Sequence, residues 1–115
     1  GQQSLLDSAR EILALGPECV VVTKSNQGAD AFTQMDSYTS KAYDVPVKDT
    51  SGAGDCFHAA FLYGILMGFP YQYCLDFANA AAAILIQQIG VREGLPTFQE
   101  VQRFMNKKTK GDKNK

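Results

Sequence analysis

The chain has no tryptophan, only one histidine and only three cysteines, and these scarcities limit its chemistry. Cys19, Cys56 and Cys74 form no CxxC pair, so neither a disulfide framework nor a zinc site is predicted. His58 lies two residues after Cys56, and a nucleophilic Cys–His pair is one alternative. Residues with that spacing on a helix point apart, so packing roles are favoured for both.

Long apolar runs are also missing: no stretch has the roughly 20 apolar residues needed to span a bilayer. The N-terminal GQQSLLDSAR lacks the basic and then apolar layout of a secretory signal. A cytoplasmic location without membrane contact is therefore predicted. One compact domain is the default for 115 residues.

Positive charge is scarce outside the C-terminus. Residues 1–105 carry 6 basic and 11 acidic side chains, whereas five lysines fall in the last ten positions. Binding to nucleic acid is not predicted, because it needs clustered Lys and Arg. The lysine-rich segment 107–115 is predicted to be a solvated, disordered tail, with a contact segment as the alternative.

Hydrophobic periodicity in the first half predicts helix followed by strands. Apolar residues at helical spacing predict an amphipathic helix from Ser4 that ends at Gly16-Pro17. CVVVTK, residues 19–24, is typical of a strand buried on both faces, and a helix feeding such a strand indicates α/β layering. Residues 29–47 predict short antiparallel strands, with Asp36-Ser37 as a turn between them.

Three helices are predicted in the second half. Residues 55–68 are apolar nearly all round and predict a buried helix, which Gly68 and Pro70 end. A second buried helix is predicted from residue 71 to 88, with Gly90 ending it. The segment 97–100, TFQE, is a capping box and predicts a last helix that runs to about Asn106.

The stretch DTSGAGDCFHAAF, residues 49–61, carries the main functional signal. Small residues before a helix let main-chain N–H groups converge, and the helix dipole adds about half a positive charge. Residues 51–54 therefore predict an anion cradle, with nucleotide phosphates as the expected guest. A Walker loop would need Lys at position 55 and a dinucleotide fingerprint a small residue at position 57; Asp55 and Phe57 exclude both.

Asp55 distinguishes this turn from other phosphate loops. A carboxylate there would repel a bound anion unless it had a chemical role, and removal of a proton from an attacking hydroxyl is such a role. An acid that only stabilises the helix dipole is the alternative. Asp49, at the end of the preceding predicted strand, would either form the turn or help to bind a cation.

Residues 49–57 resemble the signature of a known protein family. DTSGAGDCF, residues 49–57, is similar to the signature DT[ST]xAGDxF of the ribokinase-like, or PfkB, carbohydrate kinases. Residues 20–32, 77–83, 90–91 and 95–105 resemble further parts of that family. The resemblance covers residues 1–106 and implies an α/β fold, namely the C-terminal part only of a ribokinase-like three-layer α/β/α sandwich. The sugar lid and the acidic motif associated with magnesium would lie outside this chain.

The resemblance implies transfer of the γ-phosphoryl group of ATP to a hydroxyl of a sugar or related polyol, with Mg²⁺ and, in some members, K⁺. Asp55 would be the base. The anion hole would consist of the amides of Gly52, Ala53, Gly54 and Cys56. The nucleotide would be bound by Thr23, Lys24, Ser25, Gln27, Gly28 and Asn79, although the family commonly has glycine where Ser25 stands. The monovalent cation would be bound by Asp49, Ser51, Leu85, Gln88 and Gly90.

Two hypotheses of different classes follow. In a complete kinase, these residues supply the catalytic base. The 115 residues alone would instead be a catalytically incomplete nucleotide-binding or assembly fragment, because half a sugar site cannot position a hydroxyl. A sheet cut along residues 19–24 would expose hydrogen-bonding groups, so we expect either self-association into a homo-oligomer or a chain that continues upstream.

Overall fold

The computed structural model describes residues 18–24, 27–88 and 95–113. These ranges contain the strands β1 (Val20–Thr23), β2 (Ala29–Phe32) and β3 (Ser37–Ser40) and the helices α1 (Ala53–Leu66), α2 (Tyr71–Ile86) and α3 (Phe98–Lys113). The helix predicted from Ser4, together with Ser25 and Gly90, lies outside them. A search of the described helices finds none long and apolar enough to cross a membrane.

The strands form one antiparallel sheet in the order β1-β2-β3. The pairing of β2 with β3 confirms the antiparallel strands predicted in residues 29–47. In the turn between β2 and β3, the Thr33 amide donates to the Asp36 carbonyl at 2.8 Å, and the Asp36 amide donates to the Thr33 hydroxyl at 3.0 Å. The turn therefore spans residues 33–36, and Ser37 already belongs to β3. At the other end of the sheet, Ala29 pairs with Ser40.

β1 is less buried than its apolar sequence predicts. Its three valines are half-buried and Thr23 is exposed. Val21 packs on the main core, whereas Val20 and Val22 pack with Phe32 in a separate small cluster. The prediction of a strand buried on both faces is wrong for this part of the chain, because β2 is the only described element that makes extensive contact with β1 and no described helix covers its faces.

α2 lies at the centre of the core. It contacts α1, α3, β2 and β3. The alanine side chains of this helix are short, so the neighbouring elements approach its backbone closely and pack densely. The second buried helix is thus confirmed, although it ends at Ile86. Its buried residues are Cys74, Leu75, Phe77, Ala78, Asn79, Ala80, Ala81, Ala83 and Leu85.

α1 is buried on one side only, so the prediction of a helix buried all round is wrong. α2 covers the side that carries Cys56, Phe57, Ala60 and Gly64. The opposite side remains accessible: 57% of Leu62 and 76% of Leu66 are exposed, and Ile65 and Met67 are also exposed. α1 therefore carries more apolar side chains than its packing partners cover.

α3 begins at the predicted capping box. The Thr97 amide donates to Glu100 Oε1 at 3.1 Å, and the Glu100 amide donates to Thr97 Oγ1 at 3.1 Å. Val101 then packs in the core with 1% exposure. The helix continues to Lys113, so its predicted end near Asn106 is wrong; lysine is a good helix former and no proline intervenes.

Gly28 has a backbone conformation and surroundings that leave no room for a side chain. Its φ is 103°, and a Cβ at this position would lie 2.1 Å from the Ser40 carbonyl oxygen and 2.9 Å from the Ala42 nitrogen. We expect Gly28→Ala to lower the free energy of unfolding by at least about 2 kcal/mol, because backbone conformation and space both exclude a side chain. Urea denaturation followed by circular dichroism measures this. Exposed Gln27→Ala is the control, with a change below about 0.5 kcal/mol; equal losses would contradict the close approach.

Candidate active site

The first turn of α1 starts from a left-handed residue. Gly52 is the N-cap, with φ 77° and ψ 1°, and no side chain caps the helix. The Ala53 amide donates to the Thr50 carbonyl at 3.1 Å, which closes the turn that precedes the helix. This backbone path lets the chain enter α1 directly from the loop, with only small residues around the helix end.

Unpaired amides remain in this turn, as helix geometry requires. The Cys56 amide makes the first helical hydrogen bond, to the Gly52 carbonyl at 2.9 Å. The amides of Gly52, Gly54 and Asp55 have no acceptor within the part of the chain that the structure describes. Two of the four amides predicted for the anion hole, those of Ala53 and Cys56, are therefore already engaged. The Asp55 amide is an additional donor that sequence reasoning missed.

The space in front of these amides is open. A Cβ built on Gly54 would meet no atom within 4 Å. Asp55 stands in the first turn of α1, its residue is exposed, and no described residue donates a hydrogen bond to its carboxylate. A carboxylate and free N–H groups at a positive helix end therefore face solvent together, where they can meet an anion and a hydroxyl of another molecule.

The loop before this turn is tied to the carboxyl end of α2. The amides of Lys48 and Asp49 both donate to the Ile86 carbonyl, at 2.8 and 3.2 Å. Asp49 Oδ1 accepts from the Ser51 amide at 2.8 Å, so its carboxylate shapes the turn. Residues 41–50 form no strand, and the strand expected to end at Asp49 is a prediction that the structure overturns.

The predicted ligands of the cation lie around this helix end. The Leu85 carbonyl accepts from the amide of Gln88 at 3.2 Å, and the loop carrying Asp49 and Ser51 is bonded to the next carbonyl along α2. Helix carboxyl ends carry a partial negative charge that favours cations. Gly90 lies outside the described residues. Within those residues, no group of three His, Cys, Asp or Glu side chains is arranged to hold a metal ion.

The predicted nucleotide turn connects β1 to β2. The Lys24 amide donates to the Gly28 carbonyl at 2.7 Å, and the Gln27 amide donates to the Lys24 carbonyl at 3.0 Å. The Lys24 ammonium lies 3.1 Å from Asp30 Oδ2, while Thr39 Oγ1 donates to Asp30 Oδ1 at 2.9 Å. The charge of Lys24 is thus already paired within the protein.

Asn79 is buried, with 7% exposure. Its Nδ2 donates to Ser40 Oγ at 2.9 Å, to the Ser40 carbonyl at 3.2 Å and to the Lys41 carbonyl at 3.4 Å. The amide nitrogen is therefore engaged inside the protein. Sequence reasoning missed the two other polar residues on this side of α2, Gln72 and Asp76, although their spacing within an apolar helix was a usable signal.

The cysteines do not form a nucleophilic site with histidine. Cys56 is 1% exposed, which confirms its packing role. His58 is exposed, so the packing role predicted for it is wrong, although its ring lies perpendicular to that of Phe57 at 5.8 Å between centroids. All three cysteines are free. Burial raises the pKa of the Cys19 and Cys74 thiols, so both are uncharged at neutral pH, the form with low nucleophilicity.

A separate apolar pocket of about 190 Å³ lies between α1, α2 and the start of α3. Cys56, Tyr63, Phe77, Leu95 and Phe98 are among the residues that line it. None of its lining residues is charged, so it lacks the groups that recognise a phosphate. The chemistry-bearing groups are at the first turn of α1 instead.

Comparison with known proteins matches the pfkB family carbohydrate kinases to residues 1–98. The chain belongs to the pfkB family. A 5-dehydro-2-deoxygluconokinase of Clostridium botulinum, strain Eklund 17B, is 33% identical over 103 residues, which are 89% of this chain and 30% of that protein. The pfkB signature resemblance seen in residues 49–57 is thereby confirmed at the level of the family.

Solved structures confirm the fold class of this pfkB chain. The ribokinase of Arabidopsis thaliana complexed with ribose and ATP is 28% identical, with a TM-score of 0.82 over 90% of this chain and 34% of that one. A protein of E. coli described as a ribokinase II, in complex with ATP and Mg²⁺, is 31% identical, with a TM-score of 0.80 over 85% and 32%. The chain spans about a third of the length of these relatives and has the ribokinase fold over that stretch.

The two glycines of the first turn form a matched pair. Gly52→Ala places a side chain at φ 77° and should destabilise the protein by about 1–2 kcal/mol. Gly54 has no positive φ and faces open space, so Gly54→Ala should leave the stability unchanged or raise it by up to about 1 kcal/mol. Urea denaturation of both variants checks this. A larger loss for Gly54→Ala would contradict the described backbone.

Proposed function

We propose that these residues supply the nucleotide-binding and catalytic-base segment of an ATP-dependent kinase that phosphorylates a hydroxyl of a sugar or related polyol. One observation carries the proposal: free amides of Gly52, Gly54 and Asp55 lie beside the exposed carboxylate of Asp55 at the start of α1. Membership of a carbohydrate kinase family supports it.

The chemistry follows from these two groups. Asp55 accepts the proton of the acceptor hydroxyl, whose oxygen forms a bond to the γ-phosphorus while the bond from that phosphorus to the bridging oxygen of ADP breaks. The amides of Gly52 and Gly54 donate to oxygens of the transferring group and stabilise its charge, with the Asp55 amide as a third donor. Ala53 and Cys56 hold the turn in shape, because their amides donate to the Thr50 and Gly52 carbonyls.

ATP would lie along the main chain of residues 23–28, with its phosphates at the first turn of α1. Relatives solved with ATP, and in one case with Mg²⁺, support these cofactors. Mg²⁺ would be held mainly by the phosphates and water, as is usual for this ion. Lys24 contributes its main chain, since Asp30 pairs its charge, and Asn79 contributes by holding residues 40 and 41.

A monovalent cation such as K⁺ fits the carboxyl end of α2. Main-chain carbonyls there and the turn that Asp49 shapes are held together by the hydrogen bonds to Ile86. Asp49, Ser51, Leu85 and Gln88 would contribute oxygen ligands, with Gly90 beyond the described range. A cation at this place would offset negative charge close to the bound phosphates.

Asp55→Asn tests the base. In the protein at its full natural length we expect turnover to fall at least about 100-fold, because the amide cannot accept the proton, while the affinity for ATP stays close to its original value. A coupled assay of ADP release across sugars measures turnover, and calorimetric titration measures ATP binding. Asp44→Asn, an exposed aspartate in the loop before the turn, is the matched control.

Two results would contradict this assignment. Normal turnover of Asp55→Asn would remove Asp55 as the base. Loss of ATP binding in the same variant would show that the carboxylate supports the nucleotide site rather than the proton transfer. The control Asp44→Asn should change neither quantity.

The exposed apolar side of α1 favours a second candidate for the 115 residues alone: a catalytically incomplete nucleotide-binding or assembly unit. Leu62, Leu66 and Met67 are each more than half exposed on one helix and its end. Clustered apolar exposure of this kind marks surfaces that associate. A second copy of the chain is the partner we propose for this side of α1.

Sedimentation of the 115-residue chain over a wide concentration range tests this candidate. We expect concentration-dependent dimerisation, which Leu62→Glu with Leu66→Glu should abolish, because charged side chains would have to be buried. Met35→Glu is the control, since Met35 is 87% exposed in the turn between β2 and β3. A monomer at every concentration would rule the candidate out.

A further inference from the structure

Three polar side chains form a stripe along the otherwise apolar helix α2. Gln72, Asp76 and Asn79 have the spacing i, i+4 and i+7, which places them on one face of the helix. This face meets β3 and the residues that follow it, where α2 and the sheet are in contact. The stripe therefore faces the sheet, with Asn79 buried, Asp76 half-buried and Gln72 exposed at its N-terminal end.

The side chains of the stripe form hydrogen bonds with two consecutive residues of β3, Thr39 and Ser40. Gln72 Nε2 donates to the Thr39 carbonyl at 2.9 Å and to Asp76 Oδ1 at 3.2 Å. Ser40 Oγ donates to the same Asp76 Oδ1 at 2.6 Å, while it accepts from Asn79 Nδ2 at 2.9 Å. The result is a continuous chain of hydrogen bonds that uses side chains of α2 and both the main chain and the hydroxyl of β3.

Two members of this network, Ser40 and Asn79, are buried. Ser40 is 5% exposed and Asn79 is 7% exposed, and they are the buried polar residues of the described chain. Every buried side-chain nitrogen or oxygen in the described residues has a hydrogen-bond partner. A satisfied buried network holds one arrangement, because each alternative leaves a polar atom unpaired at a cost of about 1–3 kcal/mol.

The network bears directly on the nucleotide turn. The Ser40 carbonyl that accepts from Asn79 is the atom that a Cβ on Gly28 would approach to 2.1 Å. Gly28, the last residue of the turn, therefore packs directly against a carbonyl that the stripe hydrogen-bonds. At its carboxyl end the same helix holds Asp49 through the Ile86 carbonyl, so one element positions both the nucleotide turn and the anion turn.

We propose that Ser40 and Asp76 are positioning residues for the nucleotide: they set the affinity for ATP through the Gly28 turn without contacting it. The inference rests on the proposed function, since it assigns the 23–28 turn to ATP. The stripe acts on the nucleotide side of the reaction, because its contacts include Ser40 and Lys41, which abut Gly28. Proton transfer by Asp55 depends on the other end of α2.

The test uses Ser40→Ala, Asp76→Ala and Asp76→Asn in the protein at its full natural length. Ser40→Ala and Asp76→Ala each remove two hydrogen bonds of the network and should raise both the Kd and the KM for ATP about three- to tenfold, because only part of that loss is transmitted to the turn. Both kcat and the KM for the sugar should change by less than about twofold. Asp76→Asn keeps an oxygen that can accept from Ser40, so it should restore most of the ATP affinity.

Thr33→Ala is the control for a purely structural effect, because it removes hydrogen bonds at the opposite end of the same β2–β3 pair. If Ser40→Ala and Asp76→Ala lower stability as Thr33→Ala does while the KM for ATP stays unchanged, the inference is overturned and the proposed function stands. Absence of ATP binding by the unaltered protein would overturn both. Ser40→Ala removes a single oxygen, so it remains informative if Asp76→Ala does not fold.

Discussion

The packing of α2 against its neighbours is the constraint on which the rest of the structure depends. Its alanines leave room for α1 and the sheet, and its polar stripe satisfies the buried hydroxyl of Ser40. Its last carbonyl accepts two amides of the loop that leads to the first turn of α1. A single helix thus holds both ends of the segment 39–49 in place, although that segment has little regular structure after Ser40.

The packing of α1 on α2 also sets the direction in which the unpaired amides of the first turn of α1 point. α1 rests on α2 so closely that a Cβ on Gly64 would lie 2.8 Å from Cys74 Sγ. Because a helix is rigid along its axis, this contact near the end of α1 helps to orient its first turn. Gly52 then admits the left-handed backbone that brings the chain into the helix. Asp55 and the open space at Gly54 are therefore placed by tertiary contacts several residues away.

Local features were predicted well because their causes are local. The capping box at Thr97 involves atoms three residues apart, and the antiparallel pairing of β2 with β3 follows from alternation and a short turn. Burial was predicted less well. β1 and α1 both have apolar sequences, yet each has a side without a covering element in the described chain, and no local pattern reports which elements will be neighbours.

By itself, the sequence determined the family and predicted a glycine turn with an acidic residue beside it, because these depend on residue types at fixed spacing. Only the tertiary structure decided which groups are free to act. It engaged the amides of Ala53 and Cys56, paired the charge of Lys24 with Asp30 and turned Asn79 inward to Ser40. The physical reason is that a hydrogen-bonding group is available only when no other element of the fold satisfies it, and that depends on contacts between residues distant in the chain.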